Sequence, residues 1–266
     1  MVRAGDPNSP KPGISGTLPR TALESAQELC WDAWEFLSSK KRIELARKAL
    51  KLSPDCADAY VIIANETKGL KRRVELYAKG VEAGERALGP KAFKDDVGHF
   101  WGLLCTRPYM RARVGLAESL WEMGRHDEAI VHCSEMLRLN PGDNQGVRYV
   151  LVRYLLGKDR DSDAVEIMNF YEGDGSADWN YTWLLITLRM EGDSERTRDL
   201  LRSAVRGNCH VPAFLLGKRP LPQVLPEELT FGCESEAVHY AATYSILWRK
   251  SRGALEWLER QMKWDE

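Results

Sequence analysis

The residue types best suited to chemistry lie between residues 95 and 113. Two adjacent aspartates stand three and four residues before His99, and a carboxylate near an imidazole could transfer a proton or bind a metal ion. The sequence has no HExxH motif, no glycine-rich phosphate loop and no GxSxG motif to give this cluster a catalytic context. We therefore predict no catalytic residue, no metal site and no cofactor. The alternative is a small hydrolase or ligand-binding protein with a pocket near this stretch, using His99 with Arg107 and Arg111.

Composition and charge exclude several classes of protein. The 266 residues are 44% apolar and 29% charged, which is too apolar for a disordered chain and enough for a sizeable core. The 38 basic and 39 acidic residues leave no positive excess to mark a general nucleic-acid or anionic-membrane binder. The longest apolar run, Ala59 to Ala64, is far shorter than the roughly 20 residues of a membrane span. We expect no nucleic-acid partner and no membrane partner.

The six cysteines show no pairing pattern. They have no CxxC spacing and no histidines at matching intervals. In a long chain without secretory signals, a cysteine is usually a reduced, buried apolar filler. We expect reduced thiols and a cytoplasmic location.

A helical hairpin is the clearest repeated unit in the chain. The segment from Ala112 to Pro141 has apolar residues at helical spacing on both sides of a turn at Gly124. Its inward residues are Leu116, Ala117, Leu120, Ala129, Cys133 and Met136. These residue types at these spacings resemble the tetratricopeptide pattern, in which hairpins of about 34 residues repeat.

The hairpin recurs when the chain is divided into frames of that length. Frames begin at Leu23, Ala57, Met110, Asn144 and Asp178, with an insertion of about 19 residues after the second. Four positions in each frame hold only apolar or small residues, because each helix pair must cover the apolar flank of its neighbour. These residues are Leu29, Cys30, Ala46, Ala49, Ile63, Ala64, Gly80, Ala83, Leu116, Ala117, Cys133, Met136, Val150, Leu151, Ile167, Phe170, Leu184, Leu185, Leu201 and Ala204.

These observations predict an all-α fold, a right-handed α-α superhelix of five tetratricopeptide-like helical hairpins. The repeat array spans residues 21–211 and contains an insertion at residues 89–109. Residues 212–266 then form a proline-rich crossing and a pair of capping helices at the C-terminal end. Residues 1–20 are rich in proline and glycine and lack apolar periodicity, so we expect a disordered tail.

The first helix of each hairpin lines the concave surface of such an array, which predicts a binding groove. The groove residues expected to carry binding are Asn65, Arg111, Glu118, Trp121, Arg148, Trp179 and Arg189. Because arginine binds carboxylates and tryptophan offers a large rigid area, we expect an acidic or aromatic peptide of a partner protein there. A second interpretation is open: the arginines pair with Glu118 and other local acids, and the tryptophans pack against neighbouring helices.

The insertion carries a second group of candidate residues. These are His99, Trp101, Arg107, Tyr109 and Arg113. Beside the catalytic alternative stands a structural interpretation, in which His99 donates to a backbone carbonyl while aromatic side chains fill the gap between the second and third hairpins. The basic runs at residues 40–42 and 71–73 fall at hairpin turns, where solvated charge is expected.

Two stretches resemble a known family of repeat proteins. They are TRPYMRAR at residues 106–113 and LRLNPGDNQGVRY at residues 137–149. Both are similar to the suppressor of tumorigenicity seven family, and the likeness covers about residues 22 to 257. The resemblance implies a tetratricopeptide fold and an interaction role. It transfers no catalytic residue, because the family has no established ones.

Overall fold

The chain is all-helical throughout the part that the structure describes. The computed structural model describes residues 21–262, which contain thirteen helices and no strand. The predicted disordered tail at residues 1–20 lies outside the described residues. The helices are α1 (Ala22–Glu35), α2 (Ser39–Leu52), α3 (Ala57–Asn65), α4 (Leu70–Asp95), α5 (Arg107–Glu122), α6 (His126–Leu139), α7 (Val147–Gly157), α8 (Asp161–Phe170), α9 (Ala177–Glu191), α10 (Glu195–Gly207), α11 (Val211–Leu215), α12 (Glu234–Lys250) and α13 (Ala254–Gln261). The predicted all-α fold is confirmed.

The chain divides into two compact units, one ending at Leu151 and the other beginning at Val152. In the N-terminal unit, α1 and α2, α3 and α4, and α5 and α6 form three consecutive helical hairpins. The first helices α1, α3 and α5 pack in sequence, and α2 and α4 pack against the first helix of the following hairpin. Each hairpin thus covers an apolar face that its neighbour cannot bury alone, as in a tetratricopeptide stack.

Local sequence signals set where several helices begin. Thr21 starts α1 with a capping box: its hydroxyl accepts from the Glu24 amide at 3.1 Å, and the Glu24 carboxylate accepts from the Thr21 amide at 2.7 Å. Pro108 lies in the first turn of α5, where its missing N–H leaves no helical hydrogen bond unmade. Ser176 caps α9 by accepting from the Trp179 amide at 3.2 Å. The two caps fix the beginnings of α1 and α9, and the proline favours the beginning of α5.

The buried positions follow the predicted frames except in α8. Of the twenty predicted positions, sixteen are buried, three are half-buried and one, Phe170, is exposed. The buried residues of α8 are instead Ala164 and Met168. The cause is one extra residue before the turn, because the left-handed turn residue is Gly124 in the third hairpin and Asp159, 35 positions later, in the next. The frame of 34 residues therefore runs one residue out of register in this helix.

The insertion packs against the end of α6. α4 continues into it through a kink at Gly89, where φ is 68°. The rings of Phe93, Phe100 and Tyr109 then pack together, with centroids 5.1 to 6.1 Å apart. Two backbone amides of the insertion donate to the carbonyl of Leu139, at 2.9 and 3.2 Å. The insertion is therefore attached to the third hairpin by both apolar packing and backbone hydrogen bonds.

Glycines allow α4 and α5 to approach each other closely. A Cβ atom at Gly84 of α4 would lie 2.8 Å from the Cβ of Tyr109. A Cβ atom at Gly115 of α5 would overlap the ring of Tyr77. Both helices are buried at this crossing, so neither side has free space into which a larger residue could expand.

The C-terminal unit is built around α9 and a buried aromatic cluster. α9 forms a hairpin with α10, α12 packs against α9 and α11, and α13 packs against α9 and α12. The ring of Tyr181 on α9 lies 5.6 Å from that of Tyr240 on α12, which stacks on Tyr244 at 4.7 Å. Trp248 donates to the Tyr240 hydroxyl at 2.9 Å. These contacts hold α12 against α9 after the proline-rich stretch at residues 217–233, which has no helix.

One buried carboxylate ties the elements of this unit together. Glu236 of α12 is 2% exposed. Its oxygens accept from the backbone amides of Ala177 and Gly232, each at 2.8 Å, and from the Asn208 side-chain amide at 2.9 Å. These N–H donors offset the desolvation of the carboxylate and connect the start of α9 to the end of α10.

We expect Asp178, in the first turn of α9, to make the stability of the C-terminal unit depend on pH. Burial raises the pKa of this carboxyl to about 6, although a hydrogen bond from Tyr244 favours the charged form. Because the folded state binds this proton more tightly than the unfolded chain does, stability is lost as the pH rises through about 6. Asp178→Asn cannot ionise and should raise the free energy of unfolding by about 1–2 kcal/mol at neutral pH.

Urea unfolding of the wild type and of Asp178→Asn at neutral pH and near pH 4.5 measures this effect. The increase in the free energy of unfolding caused by Asp178→Asn should be less than half as large near pH 4.5, because Asp178 of the folded wild type is protonated there. Asp199→Asn, at an exposed ion pair of α10, is the control and should change stability little at either pH. An equal gain at both pH values would contradict the assignment.

Candidate functional site

The predicted groove residues of the N-terminal unit lie on its first helices. We call the exposed and half-buried side chains there the first-helix surface: Trp34 of α1, Asn65 of α3, and Arg111, Glu118 and Trp121 of α5. Arg111 reaches Asp58 of α3, with Nε 2.8 Å from Oδ1 and Nη2 2.6 Å from Oδ2. Asp58 is fully buried, and the Arg111 side chain is 12% exposed. This bidentate ion pair joins the second and third hairpins.

Two side chains of α1 complete the surroundings of the ion pair. Gln27 donates to Asp58 Oδ2 at 2.6 Å. The Arg111 guanidinium lies 4.9 Å from the centroid of the Trp34 ring, within the range of a cation–π contact. The ion pair is therefore held by all three hairpins of the unit.

Two buried thiols lie beside this cluster. The Sγ atoms of Cys30 and Cys56 are 3.5 Å apart, and both are free thiols. The hydrogen bond with Cys56, and then burial, raise the pKa of Cys30 well above its ordinary value. A buried protonated thiol is a poor nucleophile. Cys30 and Cys56 are both buried and contribute to the packing between α1 and the start of α3.

Asn65, Glu118 and Trp121 lie further along the first-helix surface. Asn65 is exposed at the end of α3 and accepts a hydrogen bond from Tyr77. Burial, and then the negative charge of Glu118, raise the pKa of Tyr77 to about 12. The half-buried ring of Trp121 lies 4.2 Å from that of His126. This part of the surface offers an amide, a carboxylate and one side of an indole.

Arg148 is held by the turn that precedes α7. Asp143 accepts from the backbone amides of Val147 and Arg148, at 2.7 and 3.0 Å, and from Arg148 Nη1 at 2.9 Å. Arg148 also donates to the Tyr149 hydroxyl at 2.7 Å. Burial raises the pKa of Asp143 despite these donors. The stretch at residues 137–149 thus supplies a helix cap, and its arginine is already in an ion pair.

The two predicted groove residues of the C-terminal unit also have local partners. Trp179 is 1% exposed, and its ring packs edge-on against Tyr171 with centroids 6.3 Å apart. Arg189 pairs with Asp159 at 2.6 Å and with Asp161 at 2.9 Å. Trp179 is therefore a core residue of this unit, and Arg189 serves the turn between α7 and α8.

The candidate residues of the insertion have separate surroundings. His99 is exposed, and among residues 21–262 its imidazole has no hydrogen-bond partner, so the expected bond to a backbone carbonyl is not formed. Arg107 donates from Nε to the Trp101 carbonyl at 3.0 Å, and its guanidinium lies 5.2 Å from the Trp101 ring. Tyr109 is buried and accepts from Arg113.

The residues of the catalytic alternative do not form a common site. His99 is exposed, Arg107 contacts the backbone of the insertion, and Arg111 is engaged by Asp58. A half-buried imidazole does occur nearby at His132, where desolvation and then Arg113 lower the pKa to about 4. Within residues 21–262 there is no group of three or more His, Cys, Asp or Glu side chains that could hold a metal ion.

The α1 residues of the site were not predicted, although the sequence contains a signal for them. The groove positions of the frame that begins at Leu23 include Gln27 and Trp34, and both contact the ion pair. Asp58 and Arg111 also occupy the same position in successive frames. Opposite charges at equivalent positions of adjacent repeats could therefore have predicted the ion pair.

Stacked hairpins whose first helices present aromatic and polar side chains define a helical-repeat protein of the tetratricopeptide type. The predicted resemblance to the suppressor of tumorigenicity 7 proteins is confirmed. The chain is 26% identical to the Protein ST7 homolog of Caenorhabditis elegans, over 87% of this chain and 49% of the relative. It is 26% identical to the Suppressor of tumorigenicity 7 protein-like of Gallus gallus, over 91% and 48%, and 27% identical to that of Bos taurus, over 89% and 47%. The chain spans about half the length of the curated relatives it matches.

No protein-family model matches the chain. YrrB, a TPR protein described as having an unusual peptide-binding site, aligns with a TM-score of 0.48 at 18% identity, over 70% of this chain and 84% of YrrB. None of the helices between residues 21 and 262 has both the length and the apolar character that crossing a bilayer requires.

Proposed function

We propose that this chain is a non-catalytic scaffold that binds a segment of a partner protein on the first-helix surface. The observation that carries the proposal is the consecutive packing of α1, α3 and α5, with Trp34, Asn65 and Trp121 partly exposed on these helices. A preformed face binds an extended segment or a helix with little reorganisation of the scaffold. Indole rings and side-chain amides are groups that give protein interfaces contact area and direction.

The ion pairs favour an aromatic or apolar partner segment over an acidic one. Arg111, Arg148 and Arg189 each already pair with a carboxylate of this chain. An acidic partner would have to displace a partly buried ion pair, and the carboxylate left behind would lose its compensation. We therefore expect the partner's anchors to be aromatic or apolar side chains that pack on Trp34 and Trp121.

We also propose that the protein works in the cytoplasm without a cofactor or a nucleic-acid partner. All six cysteines are free thiols, which supports a reducing compartment. The balanced total charge supports the absence of general nucleic-acid binding.

Affinity capture with the intact chain tests the proposed surface. Asn65→Ala combined with Trp121→Ala removes an amide and an indole, and we expect at least a tenfold loss of the captured partner, since interface anchors of this kind contribute about 2 kcal/mol or more. The matched control is Val131→Ala with Ser134→Ala, which changes two exposed residues of the second helix α6. Equal recovery of the same partner by both variants would refute the proposal.

A further inference from the structure

The turn between α1 and α2 exposes two large apolar side chains. Leu37 is 97% exposed and Phe36 is 43% exposed. Arg42 holds this turn, because its Nη1 donates to the carbonyls of Phe36 and Leu37 at 2.7 and 3.0 Å. The exposure therefore belongs to a hydrogen-bonded turn and not to a frayed helix end. Two adjacent apolar side chains exposed on an ordered turn indicate a surface that contacts a protein or a membrane.

The turns of the other two hairpins lie along the same edge of the N-terminal unit. Glu66, in the α3–α4 turn, accepts from Ser39 and from Arg42 Nε, the latter at 2.6 Å. Arg73 in turn pairs with Glu122, beside the α5–α6 turn. We call this feature the turn edge: residues 35–42, 66–73 and 122–126.

The turn edge is basic although the chain is not. It holds eight basic and three acidic residues, whereas the rest of the chain holds 30 basic and 36 acidic residues. Five of the eight basic residues are in ion pairs, three of them with glutamates just outside these ranges: Lys41 with Glu44, Arg72 with Glu75 and Arg125 with Glu128. Three of its lysines are exposed and, among the residues that the structure describes, form no ion pair: Lys40, Lys68 and Lys71. The positive charge that this edge can offer to a partner therefore comes from these three lysines, on the same edge as Phe36 and Leu37.

We propose, in place of the sequence-based expectation that the chain has no membrane partner, that the turn edge docks on a bilayer that contains anionic phospholipids. Phe36 and Leu37 would enter the interface, and the lysines would contact headgroup phosphates. Because screening limits the attraction to a distance of about 8–10 Å, the local positive charge outweighs the acidic remainder of the chain. An acidic protein would also match the charge of the lysines, but the exposed side chains of Phe36 and Leu37 favour a bilayer.

The binding of the intact chain to vesicles tests this proposal independently of the first-helix surface. The probes are vesicles of phosphatidylcholine with phosphatidylserine and vesicles of phosphatidylcholine alone, measured by co-sedimentation. We expect binding to the first kind only, and weaker binding at high salt. Lys40→Gln, Lys68→Gln and Lys71→Gln together should weaken binding about 100-fold, since each lysine near an anionic surface contributes about 1 kcal/mol. Phe36→Ser with Leu37→Ser should weaken it at least tenfold.

Matched controls lie at the opposite ends of the same helices. Lys51→Gln, Lys91→Gln and Lys94→Gln remove three exposed charges at the far ends of α2 and α4, and Leu52→Ser removes an exposed apolar residue. These variants should bind vesicles like the wild type. Circular dichroism confirms the fold of each variant.

Three results would overturn the proposal. One is failure of the intact chain to bind the anionic vesicles, and another is equal weakening by the control variants. The third is binding of soluble poly-glutamate with the same dependence on the three lysines but no binding of vesicles, because this would assign the turn edge to an acidic protein. None of these results bears on partner binding at the first-helix surface.

Discussion

Replacing Arg111 with methionine should destabilise the N-terminal unit by about 3–5 kcal/mol. The substitution keeps much of the side-chain volume but leaves the carboxylate of Asp58 fully buried without its cation. Only the hydrogen bond from Gln27 would remain of the contacts described around that carboxylate. Urea unfolding, with hydrogen exchange of α3 and α5 to assign the transition to this unit, measures the loss.

Two further variants separate the buried ion pair from a general effect of losing arginine. Arg138→Met breaks an exposed bidentate pair with Glu135 on α6 and should cost less than about 1 kcal/mol. Adding Asp58→Asn to Arg111→Met removes the uncompensated charge and should recover part of the stability. If Arg111→Met costs no more than Arg138→Met, the ion pair does not join the hairpins as described.

Replacing Gly115 with alanine should destabilise the same unit by about 3 kcal/mol, although alanine is the better helix former. The added methyl group would overlap the ring of Tyr77, which is itself buried between α4 and α5. The helices can only move apart or force the ring from its rotamer, and both responses lose packing. The midpoint of urea unfolding at constant slope reports this loss.

Gly69→Ala is the matched control, because no atom lies within 4 Å of a Cβ at that position. It should change stability by less than about 1 kcal/mol. Tyr77→Leu combined with Gly115→Ala should cost less than the sum of the two single variants, since the smaller side chain relieves the overlap. A tolerated Gly115→Ala would mean that α4 and α5 do not cross at this distance.

The hairpin stack could be predicted from the sequence because its cause is local and repeated. Each helix pair needs apolar and small residues at fixed positions, and sixteen of the twenty predicted positions are buried. The error in α8 arose from a turn that uses Asp159 in a left-handed conformation one residue later than expected. Glycine is the usual residue in a left-handed turn, and an aspartate in that conformation cannot be recognised from its type alone. The extra residue before this turn could therefore not be predicted from the sequence.

The candidate site could be predicted only in part. The frame brought Arg111 and Asp58 to equivalent positions of neighbouring hairpins, and the structure pairs them. The burial of Trp179 could not be read from its frame position, because it depends on Tyr171 and on packing within the C-terminal unit. Arg189 likewise binds acids that the shifted turn brings to it.

The turn edge could not be predicted from local sequence patterns. The basic runs at residues 40–42 and 71–73 are each typical of solvated charge. Their proximity depends on the stacking of two hairpins and on Glu66, which accepts from Ser39 and Arg42. Only the fold brings these charges to the same edge as Leu37.

Site-specific photocrosslinking tests the central claim most directly, namely that partners bind on the first helices. A photoreactive phenylalanine analogue would replace Trp121 on the first-helix surface or Val131 on the exposed side of α6, in the intact chain expressed in its own cells. We predict crosslinks to a partner protein from position 121 and none from position 131. Crosslinks to that partner from position 131 alone, or equally from both positions, would contradict partner binding on the first-helix surface.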